Sequence, residues 1–444
     1  MNLIIFKNIL VIICLLCLFS DSIFCFSLQN NEQFSTDTSD IPLIFSLSGS
    51  YRLRGEIQND FTIKSYATGT AEDFVLSRFR LDFNLQVYTR LIIHLQLQDA
   101  YVWGFSIPDS KLLGNNPVHD RLDINQLFLA YQFSSIKLKI GRQQISYRDN
   151  RVFGPGNWGN TGRYVWDAAM LTLNNSYIQS DVIVGRFVLH NPDTWPNKTS
   201  EGPTAYAFYN AIKILPFDLD VFYVLNKDDR GITKGEINTG NLTSHTLGFW
   251  LNGKYENLNY TGMFAGQFGT SASDQIQSSG LVLSLGYDFP INWKPGVQLQ
   301  YIYGSGDKNP TNGIKNTFDG IFSGADTKLY GWMNLFFWSN LKEYRINCSF
   351  SPYNMFTLLS EYHHFTLSDP RDAWYFPGNA QRRDTDGKSG VELGHEFDFS
   401  VKMKFFSFLE LLTGCSFFIP GEFVKNTGKS PFASWYFLET TFYF

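Results

Sequence analysis

The densest chemistry in this sequence lies between Arg142 and Asp167. Arg142, Arg148, Arg151 and Arg163, with Asp149 and Asp167 among them, stand in a chain only 17% charged. A guanidinium is a planar fork that binds carboxylates bidentately. Gly154, Pro155, Gly156, Gly159 and Gly162 let the segment 147–165 turn sharply. Two readings follow. In one, Arg151 and Arg163 contact an anionic substrate while Asp149 and Asp167 orient arginines. In the other, the same groups clamp a structural loop.

Charge elsewhere is patterned by strand. Arg52, Arg54, Arg78, Arg80, Lys137 and Lys139 fall on polar rows near the start of the chain. Glu56, Asp82, Glu392, Glu396 and Asp398 supply the opposite sign. Rings of Arg or Lys favour anions in a pore. Pairing between first and last strands is the competing explanation.

Other chemistry is sparse. His363 and His364 are adjacent, so in a strand they point to opposite faces. No other histidine spacing resembles a metal-ligand set. Gly304-Ser305-Gly306-Asp307 lacks the lysine and the strand–helix context of a phosphate loop. Asp384-Thr385-Asp386-Gly387 reads as a turn, because no Glu follows at the distance a calcium loop needs. A nucleophile beside a histidine would mark an enzyme. His395 near Ser400 and His94 are the only approaches to one, and neither has a convincing partner. No catalysis, metal or cofactor is expected.

The 444 residues carry 36 Lys and Arg against 41 Asp and Glu, a net charge of −5. Aromatic residues make up 17%, with 42 Phe, 23 Tyr and 10 Trp. Ordinary domains are about a quarter charged. Low charge and high aromatic content exclude a disordered chain. The negative balance argues against a nucleic-acid partner. Apolar runs of about 20 residues, which a helical membrane bundle needs, are missing from the body of the chain.

The body alternates with period two, as strands with one apolar face do. In Arg78–Val87, Phe79, Leu81, Phe83, Leu85 and Val87 oppose Arg78, Arg80, Asp82, Asn84 and Gln86. Val391–Phe405 reads the same way, with Glu392, Glu396 and Asp398 on one row and Leu393, Phe397 and Phe399 on the other. His395 alone breaks the apolar row. Strands of 12 to 15 residues suit tilted crossings of a bilayer. Eighteen are expected: 44–56, 74–87, 91–103, 121–133, 136–146, 166–174, 179–190, 205–214, 218–226, 241–253, 257–269, 276–287, 296–303, 342–351, 355–366, 389–404, 408–418 and 432–444. Their connections alternate long and short, with long loops at 57–73, 104–120, 147–165, 191–204, 227–240, 304–341, 367–388 and 419–431. This is the layout of an all-β transmembrane antiparallel barrel, long loops extracellular and short turns periplasmic. Seven tryptophans (Trp103, Trp166, Trp250, Trp293, Trp338, Trp374 and Trp435) lie near strand ends or in loops and read mostly as interface girdles.

Residues 1–26 read as a secretory signal peptide, with Lys7 ahead of the apolar stretch Ile9–Phe19. Phe24 before Cys25 disfavours lipidation there. A polar lead-in covers 27–43 and the barrel 44–444. The last strand ends in Tyr436, Leu438, Thr440, Phe442 and Phe444 on one face. That pattern resembles the signal read by the barrel-assembly machinery. Cys348 and Cys415 read as isolated strand residues.

One stretch is distinctive: Gly141-Arg142-Gln143, Asp149-Asn150-Arg151, Asn157-Trp158, Arg163 and Trp166-Asp167-Ala168. Tyr303-Gly304-Ser305-Gly306-Asp307, Tyr330-Gly331-Trp332-Met333-Asn334, Glu361-Tyr362-His363-His364-Phe365 and Glu392-Leu393-Gly394-His395-Glu396 add to it. Together they resemble the alginate-export family of outer-membrane porins over about residues 44–444. Arg148 stands where a Gly is common in that family. The resemblance implies an 18-stranded monomeric barrel with an arginine-rich lumen for an anionic polyuronate. Its pore-lining residues would be Arg52, Arg54, Arg78, Arg80, Arg142, Arg148, Asp149, Arg151, Arg163, Asp167, Glu392 and Glu396.

The expected function is a passive outer-membrane channel for anionic oligo- or polysaccharide in a Gram-negative-type bacterium. Expected partners are membrane lipid, the assembly machinery and a periplasmic export partner. The competing readings are a small-anion uptake porin, a barrel-embedded lipase and an adhesin.

Overall fold

The computed structural model describes residues 43–112, 114–322, 328–376 and 379–444. The signal segment and the polar lead-in up to residue 42 lie outside these; Leu43, expected in the lead-in, begins the first strand. Eighteen long strands run in chain order. They are β1 (Leu43–Phe61), β2 (Tyr66–Val87), β3 (Leu91–Trp103), β4 (Asp120–Phe133), β5 (Ile136–Gln144), β6 (Val165–Asn174), β7 (Ile178–Leu189), β8 (Thr204–Ile212) and β9 (Asp218–Lys234). The second half is β10 (Thr239–Tyr255), β11 (Leu258–Ser271), β12 (Asp274–Asp288), β13 (Gly296–Gly304), β14 (Leu341–Phe350), β15 (Phe356–Leu367), β16 (Glu392–Lys404), β17 (Leu409–Pro420) and β18 (Ala433–Tyr443). Each pairs antiparallel with the next, and β18 pairs with β1, so no edge is left open. Closure satisfies every strand's backbone within the sheet, the condition for crossing lipid. Among the described residues no helix is long and apolar enough to span a membrane, a fact that bears on helices only.

The period-two pattern sets the two faces. Leu43, Phe45 and Leu47 are exposed on the outer face of β1, and Arg52, Arg54, Glu56 and Gln58 are buried on the inner one. On β5, Ile136, Leu138 and Ile140 are exposed outside while Lys137 and Lys139 point in.

Two of the expected long loops are largely strand. β1 continues to Phe61 and β2 begins at Tyr66, joined by a four-residue turn closed by Thr62 N–H donating to Ser65 O at 2.8 Å. β9 likewise runs to Lys234, with an irregularity between Asp228 and Thr233. Both extensions carry polar residues on both faces, among them Gln58, Asn59, Glu72, Asp73, Asp228 and Asp229, so no apolar outer row marks them. A pattern keyed to an apolar face ends too early there.

The lumen is filled. Segment 145–164 folds inward, burying Phe153, Asn160 and Thr161. Residues 305–322 and 328–340 do the same, burying Phe318, Tyr330, Leu335 and Trp338. The two meet: Phe153 bridges Phe322, and their rings lie 5.3 Å apart. The tryptophan expectation is corrected accordingly. Trp166, Trp338, Trp374, Trp435 and Trp250 are buried inside the barrel, and only Trp103 and Trp293 of the seven stay exposed. Inward-folding loops need a core of their own, and tryptophan supplies its area.

Candidate functional site

Opposed registers build a basic wall. Arg52 sits directly across from Arg78, so the inner faces of β1 and β2 bring Arg52, Arg54, Arg78 and Arg80 together. Segment 145–164 presents backbone carbonyls to them. Arg52 donates to the carbonyls of Asn157, Trp158 and Gly159 at 3.2, 3.3 and 3.1 Å and to Asn160 Oδ1 at 3.3 Å. Arg78 donates to Asn157 O at 2.9 Å and Gly159 O at 3.1 Å. Arg54 donates to Trp158 O at 2.8 Å and pairs with Glu56 at 2.7 Å and Glu439 at 3.3 Å. Arg80 donates to Gln98 and to Asn157 Oδ1. Among the described residues Arg78 and Arg80 make no ion pair. Four guanidiniums thus face Glu56 and Glu439, a surplus of positive charge. Glu439 of β18, rather than the acidic β16, is the carboxylate that closure brings to Arg52 and Arg54.

Aromatic rings stand beside this wall. The Arg54 guanidinium lies 4.0 Å from the Trp158 ring centre. Trp158 packs edge-on against Trp435 at 5.7 Å and Trp332 at 6.0 Å. Lys328 Nζ is 3.9 Å from both Trp158 and Trp332, and burial pushes its pKa down to about 8. A cavity of about 70 Å³ lies between Arg54, Asn160, Arg163, Trp158, Trp332 and Trp435. A second, of about 410 Å³, is lined by Lys64, Asn115, Arg163, Tyr164 and Gln381. Ile63, Pro117, Arg163 and Phe376 border both.

The remaining arginines are braced. Arg142 forks onto Asp167 at 2.9 and 3.1 Å and donates to Asn197 O. Arg148 turns to Asp220 and Asp218 on β9, and the Asp220 carboxylate raises its pKa further. Arg151 does not stand where substrate contact requires. It is 2% exposed, bound to Asp149 at 3.0 Å, and enclosed by Tyr330 and Trp338. It lines neither cavity. Tyr330 and Trp338, from a distant inward segment, cover it, which the sequence pattern of one loop does not show.

Glu392 and Leu393 are exchanged relative to the alternation reading. Phe365 pairs with Gly394, but Thr366 pairs with Glu392, so one residue bulges. Leu393 is buried inside, and Glu392 turns to the outer face beside His395. Glu396 stays inside, fully buried, and accepts the Met333 N–H at 2.9 Å. It anchors the second inward segment at Gly331, whose φ of +79° and contact with Glu396 leave no room for a side chain.

Of one buried cluster the sequence pattern marks only Asp398 as inward. Glu343, Arg345, Glu361, His363 and Asp398 face inward on β14 to β16. His363 holds Glu343 at 2.8 Å and Asp398 at 3.0 Å, and Arg345 holds Glu343 at 2.7 Å. Trp332 donates to Glu361. The signal was present: Glu343/Arg345 and Glu361/His363 are charged pairs two apart in strands. Ser400 is buried inside while His395 faces out, so they do not meet as nucleophile and base.

A family description, alginate export, matches residues 44–434. This chain belongs to the alginate-export family. An outer-membrane channel barrel follows from that membership and the closed fold. Solved structures agree on the fold. Pseudomonas aeruginosa OccK11 (OpdR) shares 13% identity at a TM-score of 0.57, covering 90% of this chain and 95% of its own. Acinetobacter baumannii OccAB2 shares 12% at 0.60, covering 90% and 98%. Pseudomonas aeruginosa OccK2 (OpdF), solved in complex with glucuronate, shares 11% at 0.59, covering 90% and 97%. No curated protein matches the sequence of this alginate-export family member.

Proposed function

We propose that this barrel is a passive outer-membrane channel for anionic sugars of the uronate class, with the long loops facing the cell exterior. The observation that carries the reading is the shared Arg163 border between two cavities, the inner one lined by Arg54 and three tryptophans. A uronate unit has an apolar ring face that stacks on indole and a carboxylate that accepts from a guanidinium fork. The surplus charge of Arg78 and Arg80 draws an anion toward that wall. Flux follows the gradient. Arg142, Arg148, Asp149, Arg151, Asp167 and Glu396 act as braces of the inward segments, Arg54 and Arg163 line the anion path, and Arg52, Arg78 and Arg80 hold the first inward segment beside it. The barrel works as a monomer, inserted by the assembly machinery and supplied by a periplasmic partner.

A small-anion channel is the second reading, favoured by the tight filling of the lumen. Reversal potentials across a salt gradient in planar bilayers test the shared part. The expected result is anion preference, and cation preference overturns both readings. Glucuronate against longer oligouronates then separates them: current blocked only by the monomer supports the small-anion channel.

A further inference from the structure

The outer wall carries a polar cluster that the channel reading leaves unused. His364 on β15 and His395 on β16 are paired directly opposite each other. Their Nδ1 atoms lie 3.2 Å apart, and their ring centres 4.8 Å apart. On the far side of the His395 ring, Nε2 is 3.1 Å from Glu392 Oε1. The Tyr362 hydroxyl meets His395 Nδ1 at 2.9 Å. All four residues face away from the lumen, and His364 is three residues from the end of β15 at the long-loop rim. The bulge at Leu393 is what puts Glu392 there.

These residues are out of place on an outer wall. Carboxylates on the lipid-facing side of a barrel cost free energy in a depth-dependent way and are tolerated near the interface. Two neutral imidazoles meeting through Nδ1 can share one hydrogen bond at most, because each ring carries a single proton. A cation between the two nitrogens uses both lone pairs. Tetrahedral zinc with arms of about 2.0–2.1 Å places its ligands roughly 3.3 Å apart, which is close to the spacing found. A ligating histidine commonly donates its other ring N–H to a carboxylate, which fixes the tautomer. Glu392 occupies that position at His395 Nε2. One ligand atom from each of His364, His395 and Glu392 falls within 4.8 Å of the others.

We propose that His364 and His395, with Glu392 beside them, bind a divalent transition-metal ion of the zinc type on the outer wall at the long-loop rim. The site joins β15 to β16 and leaves coordination positions open to the Tyr362 hydroxyl and to oxygen ligands from outside. It is independent of what passes through the lumen.

The test uses the untagged full chain, folded in detergent and stripped with a chelator. Zinc chloride is titrated calorimetrically, and cobalt is followed by its visible absorption. The expected result is one saturable site, weakened at least tenfold by His364→Ala or His395→Ala and lost in the double variant. Cobalt should give the intense bands of four-coordinate geometry, absent from the double variant. His364→Gln and His395→Gln replace any alanine variant that does not fold. Unchanged single-channel conductance confirms that the barrel is intact. Absence of saturable zinc binding to the natural chain overturns the proposal, as does equal binding by the double variant, which assigns the metal elsewhere, for example to Cys348 or Cys415.

Discussion

Replacing Arg52 and Arg78 by methionine, singly and together, tests how the first inward segment is held. Arg52→Met removes four donated hydrogen bonds, yet each backbone carbonyl keeps another arginine. Asn157 O and Gly159 O retain Arg78, and Trp158 O retains Arg54. No buried backbone carbonyl is orphaned and guanidinium repulsion is relieved, but the buried Asn160 Oδ1 loses its donor. The single change should therefore cost about 1–3 kcal/mol of loop docking, roughly 5- to 150-fold. Arg78→Met orphans no buried acceptor and should cost about 1 kcal/mol.

The double variant differs in kind. Gly159 is buried, so its carbonyl then has no donor, while the carbonyl of exposed Asn157 meets water. An orphaned buried acceptor adds about 1–3 kcal/mol beyond the sum of the singles. Hydrogen exchange reads this directly at the amides of Gly159, Asn160 and Thr161, which bond Gly156 O and Pro117 O in the docked segment. Acceleration in the double variant should exceed the product of the singles by about tenfold or more. Strict additivity would refute the shared-carbonyl reasoning. So would a single Arg52→Met change that frees the segment by itself.

Three further outcomes follow from the same contacts. Lys328 titrates near pH 8 when folded. The folded chain then binds fewer protons than the unfolded one between about pH 8 and 10.4, so this group makes stability rise with pH in that window. Anion preference should fall between pH 7 and 9, and Lys328→Met should flatten that fall in reversal-potential measurements. Arg148→Ala strips the buried Asp220 of its ion pair, leaving Tyr209 as a donor, and should lower stability by about 3 kcal/mol in denaturant unfolding. Gly162→Ala meets a φ of +73° and would put its Cβ 2.7 Å from Arg80 Nη2. It should cost about 1–2 kcal/mol of loop docking, read by the same exchange experiment.

The barrel was legible because lipid imposes one rule on every strand: apolar out, polar in. Arg78–Val87 and Ile136–Ile140 obey it, and the closed register follows. The errors fall where that rule stops applying. Residues 57–61 and 66–73 are strand with polar residues on both faces. At Leu393 one bulged residue exchanges the faces of Glu392 and Leu393, and alternation carries no mark of a bulge. The lumen was half legible. The arginines of β1 and β2 point inward, but their partners are backbone carbonyls, which no side-chain pattern reveals. The fate of Arg151 depends on Tyr330 and Trp338, almost two hundred residues away. The tryptophans were misassigned because girdle and plug use the same residue for the same amphipathic character.

Single-channel recording with oligouronate added to one side tests the central claim most directly. The account predicts concentration-dependent blockade of the open current, weakened at least tenfold in the Trp158→Ala, Arg163→Gln double variant with the barrel still conducting. Blockade that is absent in the natural chain, or undiminished in that variant, would contradict an anionic-sugar path through the Arg54, Arg163 and Trp158 chamber.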